Sequence, residues 1–224
     1  MPNEPAPRTP VIVSDGRPVA EWVHPVYGHP LEFTTVNAGR PDDLTMRPFF
    51  ALVHDRFAVY FDEFSDADWE KQQAEYRAEE ARQKDLVART VDSMRIGEMQ
   101  PERDHDLKSE QNDIRGSNGR NFRTPLEGGW LEFQMKVDPS KPNELVMTYW
   151  GNERARPEFD ILIDGHKLIT ETLPHKKDNQ FFDEERLIPV ELAAGKSTVT
   201  VRIQAIHGHP AGSVAGARIV RAAG

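Results

Sequence analysis

From residue 130 onward, apolar and polar side chains alternate over short runs. In Trp130–Val137, Leu131, Phe133, Met135 and Val137 alternate with Glu132, Gln134 and Lys136. In Ser197–Ile206, Val199, Val201, Ile203 and Ala205 take one phase, and Thr198, Thr200, Arg202 and Gln204 take the other. A period of two sends successive side chains to opposite sides of a pleated strand, so each run predicts a strand with one buried face. Leu145–Trp150, Phe159–Asp164, His166–Leu173, Leu187–Leu192 and Ala217–Arg221 read as further strands, and Asp164-Gly165 is a two-residue hairpin signal. Short strands with no helical pattern between them predict an antiparallel, jelly-roll-like β-sandwich over residues 92–224.

Upstream the pattern changes. Residues 65–91 contain neither Pro nor Gly and are dense in charge. Ser65, with Asp68 three residues on, makes a capping-box pattern. Asp66, Asp68 and Glu70 fall at the positive end of the resulting helix dipole, and Arg89 falls near the negative end. Glu80–Lys84 and Asp85–Arg89 are favourably oriented pairs four residues apart. A single helix of roughly 39 Å follows. Its apolar stripe, Trp69, Tyr76, Leu86 and Val87, is narrow, which predicts a largely solvated surface helix; only Trp69 and Tyr76 fit a heptad, too few for a coiled coil. Residues 1–64 hold six of the eleven Phe and many prolines. Val11–Val13 and Leu31–Val36 read as strands there, and Phe49–Val53, His54-Asp55 and Arg56–Phe61 as a hairpin. The expected fold is mainly β: a small N-terminal β segment (1–64), one long charged surface helix (65–91) and a sandwich (92–224).

Charge and composition remove several classes of function. With 28 Lys and Arg against 37 Asp and Glu, the net charge is −9, which argues against nucleic acid as a partner. No apolar run is long enough for a membrane-spanning helix, so no membrane partner is expected. Met1-Pro2-Asn3-Glu4-Pro5 lacks the basic start and apolar stretch of a signal peptide, and localisation stays open. The chain has 0 Cys, which excludes disulfides, thiolate zinc sites and a cysteine nucleophile.

What remains is a short set of candidate groups. Glu102, Asp104 and Asp106 alternate with Arg103 and His105. Their oxygens suit Ca²⁺, but the spacing matches no EF-hand loop; the plainer reading is a solvated linker, and no cofactor is expected. His207-Gly208-His209 offers two imidazoles without a third ligand at zinc spacing. Gly116-Ser117-Asn118-Gly119 lacks the strand-to-helix setting of a phosphate loop. Neither a G-x-S-x-G nor an H-E-x-x-H motif occurs, so no catalytic residue is assigned. Trp130, Tyr149-Trp150 and Phe181-Phe182, with Asn152, suit sugar rings, whose C–H faces pack on aromatic faces while amides and carboxylates meet the hydroxyls. Adjacent Tyr149 and Trp150 point to opposite faces of a strand, so one of them is core. Trp150 ends its strand before Gly151-Asn152 and reads as a platform at the sheet rim. The expected ligand site combines Trp150 and Asn152 with Glu102, His105 and Glu110 on one surface.

Arg47-Pro48-Phe49-Phe50-Ala51-Leu52-Val53-His54-Asp55-Arg56-Phe57-Ala58-Val59-Tyr60-Phe61 resembles a strand pair of the glycoside hydrolase family 127 proteins, the β-L-arabinofuranosidase-like hydrolases. The helix, the Gly97–His105 segment with Ser109-Glu110, Tyr149-Trp150-Gly151-Asn152-Glu153 and Phe159–Gly165 are similar to segments that follow in the same order in that family. The likeness runs over roughly residues 30–221 and is to the family's C-terminal, non-catalytic part. The catalytic barrel of that family uses a cysteine nucleophile beside a cysteine-held zinc, so none of its catalytic residues carries over to this chain. The resemblance implies an accessory module whose partner is the catalytic barrel domain of a glycoside hydrolase, with a plant-type glycan as a further partner. It also implies that residues 1–64 are the last strands of a preceding sandwich, and that the parent enzyme can be exported. Two rivals stand beside it: a purely structural interaction domain with no sugar affinity, and a free-standing glycoside hydrolase using two carboxylates.

Overall fold

The computed structural model describes residues 9–51, 61–152, 156–173 and 179–223. The chain forms two compact units, residues 1–83 and 84–224.

In the first unit, β1 (Val11–Val13), β2 (Val23–Val26), β3 (His29–Thr35), β4 (Gly39–Arg40), β5 (Thr45–Met46) and β6 (Asp62–Phe64) form two small sheets, β4-β1-β6 and β2-β3-β5. β1 is buried on both faces, which its unbroken Val-Ile-Val run requires. Ile12, Trp22 and Ala38 make the small core, with Val23 and Leu44 packed against it. A polar knot sits beside it. The Asp43 carboxylate accepts the backbone N–H groups of Asn37, Ala38 and Gly39 and the Thr35 hydroxyl. Burial opposes the charge on Asp43, but the donors from Gly39, Thr35, Asn37 and Ala38 outweigh it and hold the group well below the usual carboxylate range.

The expected strand at Phe49–Val53 does not form at its start. Phe49–Ala51 is a single 3-10 turn, closed by the Ala51 N–H on the Pro48 carbonyl at 2.9 Å. Pro48 presets the φ that opens such a turn. The rest of that hairpin, residues 52–60, lies outside the described residues. The chain next pairs as β6, parallel to β1.

Helix α1 (Asp66–Arg89) has Ser65 at its N-terminus. The Ser65 hydroxyl accepts the Asp68 N–H and donates to the Asp68 carboxylate. Leu86 is the buried residue of α1, whereas Val87, read from the sequence as part of the same stripe, is 66% exposed.

The second unit holds β7 (Thr90–Arg95), α2 (Met99–Asp104), β8 (Lys108–Ser117), β9 (Arg120–Lys136), β10 (Asn143–Trp150), β11 (Glu158–Ile163), β12 (His166–Thr172), β13 (Phe181–Ile188), α3 (Val190–Ala193), β14 (Thr198–Ala205) and β15 (Val214–Arg221). All nine strands belong to one antiparallel sheet of order β12-β11-β14-β9-β15-β10-β13, with β7 on β15 and β8 on β9. The sheet folds over on itself. β9 turns the corner: its second half pairs with β14, whereas Arg123 in its first half pairs with Val214 of β15. Two glycines make that bend possible. Gly128 has φ +75°, and a Cβ on Gly129 would stand 2.1 Å from the Gln111 carbonyl oxygen. Opposite them the β8 register slips between Glu110 and Asn112.

Between the layers lies one continuous core, with Leu131, Phe133 and Met135 from β9, Ile161 and Ile163 from β11, and Leu145, Met147 and Tyr149 from β10. Each such side chain contributes about 1.5–3 kcal/mol by leaving water. The edge strands β12 and β13 are joined by an ion pair, Arg186 to Glu171 at 2.8 Å. The fold is thus mainly β, an antiparallel sandwich with a long helix and a small N-terminal β segment. The expected strand at Leu187–Leu192 is corrected: β13 ends at Ile188, and Pro189 opens the short helix α3. The sandwich also begins earlier than residue 92, since β7 starts at Thr90 and Leu86 packs with Val146 and Val220.

Candidate functional site

The structure separates the five residues expected to share one surface. Trp150 is only 8% exposed. Phe122 stacks on it with centroids 6.0 Å apart and planes 9° apart, Phe181 lies at 4.8 Å, and Ala215 completes the cluster. The rim platform expected at Trp150 is therefore corrected: the first half of β9, which shows no clear alternation, supplies Phe122 and covers the ring. Asn152 is half-buried, and its amide donates to the Asn179 side chain at 2.9 Å; Asn118 donates to the Asn179 carbonyl at 2.7 Å.

Glu102 and His105 belong to the framework. Glu102 lies in α2, 8% exposed, and takes both Arg123 donors at 2.6 and 2.7 Å plus the Gly97 N–H at 2.7 Å. Burial works against its charge, and the Arg123 guanidinium with the Gly97 amide more than offsets it, so its carboxyl sits below the ordinary range. His105 stands between the Pro101 carbonyl (2.7 Å) and the Asp92 carboxylate (3.2 Å), whose other oxygen accepts the Lys136 N–H. The polar segment around His105, expected to be a solvated linker, is a clamp that fixes α2 against β7 and β9.

Glu110 alone of the five lies in an open, mixed surface. It pairs across the sheet with Trp130 and accepts the indole N–H at 3.1 Å. Trp130 follows the glycine corner directly, on the outward phase of β9, and is half-buried. The cross-strand register extends from it through Gln204 of β14 and Asp160 of β11 to Thr170 of β12. A second row runs Lys108, Glu132, Arg202 and Leu162. The Arg202 guanidinium lies over the Trp130 ring, 4.1 Å from its centroid, and is fixed by Glu132 and by Gln204. Asp160 is held by Lys167 at 2.8 Å and by the Thr170 hydroxyl at 2.6 Å; burial resists its charge, and these two partners bring its carboxyl below the usual value.

This face presents planar hydrogen-bonding groups of both signs around one aromatic ring. Such a surface suits a ligand whose hydroxyls both donate and accept. Arg202, Gln204 and Asp160 were legible as outward-phase residues of their strands. Their position beside Trp130 depends on the order β11-β14-β9, which alternation does not encode. Among the described residues, no group of three or more His, Asp or Glu side chains is placed to hold a metal ion.

Fold and surface together define a β-sandwich module with a polar sheet face centred on a tryptophan. The chain belongs to a family of unknown function, DUF6805, which matches residues 85–220. No curated protein matches the chain. Among solved structures it is similar to a family 35 carbohydrate binding module from Clostridium thermocellum (14% identity, 52% of this chain and 93% of that one, TM-score 0.42). It is similar also to a family 35 carbohydrate binding module from an environmental isolate (15%, 54% and 93%, TM-score 0.43). A third is the exo-beta-1,3-galactanase from Phanerochaete chrysosporium with galactose (8%, 57% and 28%, TM-score 0.43). Each is a likeness of shape over part of the chain.

Proposed function

We propose that the sandwich is a non-catalytic, glycan-binding accessory module of a glycoside hydrolase, and that its parent or partner enzyme is of the β-L-arabinofuranosidase-like kind. The observation that carries the reading is the half-buried Trp130, held between the Glu110 carboxylate and the Arg202 guanidinium on an exposed sheet face. The exposed part of the indole takes the C–H face of a sugar, and Glu110, Gln204 and Arg202 meet its hydroxyls. The ordered likeness of the Arg47–Phe61, Gly97–Glu110 and Tyr149–Gly165 segments to family 127 supports the choice of parent. The absence of cysteine supports a non-catalytic role beside such an enzyme.

The test is affinity electrophoresis of the full chain through gels containing arabinan, arabinogalactan or no polysaccharide. Retardation by at least one arabinose-containing polymer is expected, and Trp130→Ala weakens it about tenfold or more with an unchanged melting curve. If no polymer retards the wild-type chain, the glycan-binding reading falls and the structural role remains. Hydrolysis of a β-L-arabinofuranoside by the purified chain would overturn the non-catalytic assignment.

A further inference from the structure

Arg120, the first residue of β9, reaches across to β15 and lies on Gly216. A Cβ at Gly216 would stand 2.7 Å from the Arg120 Nη2, so any side chain there would displace the guanidinium. Glycine inside a strand weakens it and often marks such a close approach. Nη2 donates to the Ala215 carbonyl at 3.1 Å, and the group lies over the Phe181 ring, 5.2 Å from its centroid. Nε is buried without a partner, which leaves Nη1 as the nitrogen that can meet a ligand. Among the described residues, no carboxylate stands at ion-pair distance from this guanidinium.

Two more guanidinium groups belong to the same face. Arg95 of β7 pairs with Gly216, and Arg218 follows two residues along β15, opposite Ser93. Met94 and Ala217 point into the core, so Arg95 and Arg218 share the outward phase with Gly216. Arg95 is paired with Glu98 at 3.3 Å, but both side chains are largely in solvent, where such a pair contributes little. Arg218 donates to the Thr90 hydroxyl at 3.2 Å. From Gly216 the row continues through Thr148 of β10 to Asp183 of β13, whose carboxylate accepts the Thr148 hydroxyl at 2.8 Å. Burial pulls the Arg120 guanidinium below its ordinary value, Arg95 and Arg218 add to this, and Asp183 and Glu98 oppose it. Three cations thus stand against two anions, and one positive charge is left unmatched. A partly buried cation without a counter-ion is costly, and a ligand carrying a single negative charge removes that cost. A neutral ring leaves the charge unmet, and a phosphate dianion exceeds it.

We infer that the outward face around Gly216 is an anion site, distinct from the Trp130 face, which takes a carboxylate with Arg120 Nη1 as its central donor and Arg95 and Arg218 beside it. It does not depend on the glycan reading of the sandwich. The test is isothermal titration of the full chain with acetate, D-glucuronate and inorganic phosphate at constant ionic strength.

At least one of the two carboxylates is expected to bind, with an affinity that falls as salt is added. Arg120→Met removes the central donor and weakens that binding about tenfold or more. Arg95→Met, at an exposed position where folding is not at risk, weakens it about threefold. Trp130→Ala leaves it unchanged. Equal affinity for acetate and D-glucuronate would make the carboxylate the whole ligand, and tighter D-glucuronate would make it an acidic sugar. The inference is overturned if neither carboxylate binds, if phosphate binds more tightly than both, or if Arg120→Met and Arg95→Met bind as the wild type does.

Discussion

The two units handle their aromatic side chains in opposite ways. In residues 84–224, Phe133, Tyr149 and Phe159 are at most 1% exposed and share one core. In residues 1–83, Phe49 is 77% exposed, Phe50 73% and Phe61 55%, while among the described residues the buried apolar side chains are the small ones of Val11, Ile12, Val13 and Ala38 with Trp22. Apolar content alone does not make a core. Long strands with a period of two can stack two faces around one interior, and strands of two or three residues cannot.

The widest test of that contrast is separation. Residues 84–224 expressed alone are expected to melt cooperatively, because every strand of the nine-stranded sheet lies within them. Residues 9–64 alone are expected to give no cooperative transition by circular dichroism. A cooperative melt from the shorter piece would show that its small core suffices.

Next in size is a pair of single substitutions. Trp150→Ala removes the centre of the Phe122–Trp150–Phe181 cluster and is expected to cost about 3 kcal/mol in urea titrations. Phe50→Ala, at a largely exposed ring, is expected to change stability by less than about 0.5 kcal/mol. Equal effects would remove the distinction between the two sets of aromatics.

Glu102→Gln tests the clamp on α2 and is expected to cost about 2–3 kcal/mol, since it leaves the Arg123 guanidinium without its bidentate partner. The effect depends on pH. The Glu102 carboxyl titrates lower in the folded chain than in the unfolded one. Its contribution is therefore complete above the ordinary carboxylate range and is lost as pH falls through the lower folded value. Wild type and variant should converge in stability in acid; a constant gap down to the acid limb would assign the cost to packing.

The smallest expected effect is that of Tyr149→Phe. The Tyr149 hydroxyl is buried without a partner, so its removal should change stability by less than about 0.5 kcal/mol near neutral pH. Burial pushes the Tyr149 phenol well up, with Glu171 adding to the effect and Arg186 opposing it. The unfolded chain ionises first, so the wild type loses stability as pH rises above the ordinary tyrosine value. The variant should lose less there, and identical alkaline limbs would show that a donor or cation such as Arg186 offsets the burial of the phenolate.

Residues 130–221 were the most legible part of the chain. Leu131 through Val137 and Val199 through Ala205 alternate with few exceptions, and burial follows the same phase. The first half of β9 and all of β8 were not legible. Asn112-Asp113-Ile114-Arg115 and Arg123-Thr124-Pro125-Leu126 are polar or mixed, because those strands are largely half-buried or exposed and take their order from ladder bonds. The candidate site suffered most from this. Trp150 looked like a rim residue because no strand of the sandwich was read before Trp130, and Phe122, which covers the ring, lies in the unread first half of β9. Glu102 and His105 were read as ligand contacts, because the pattern does not distinguish a buried brace from a ligand contact.

The place of β15 has a consequence for how the protein is made. This strand pairs with β7, β9 and β10, so it is central to the sheet, although it is the last of the sheet's nine strands in chain order. Until residues 214–221 leave the ribosome, β7 has no partner and β10 lacks one neighbour. The nascent chain therefore waits with open strand edges, and the sheet closes only once residues 214–221 are free to pair.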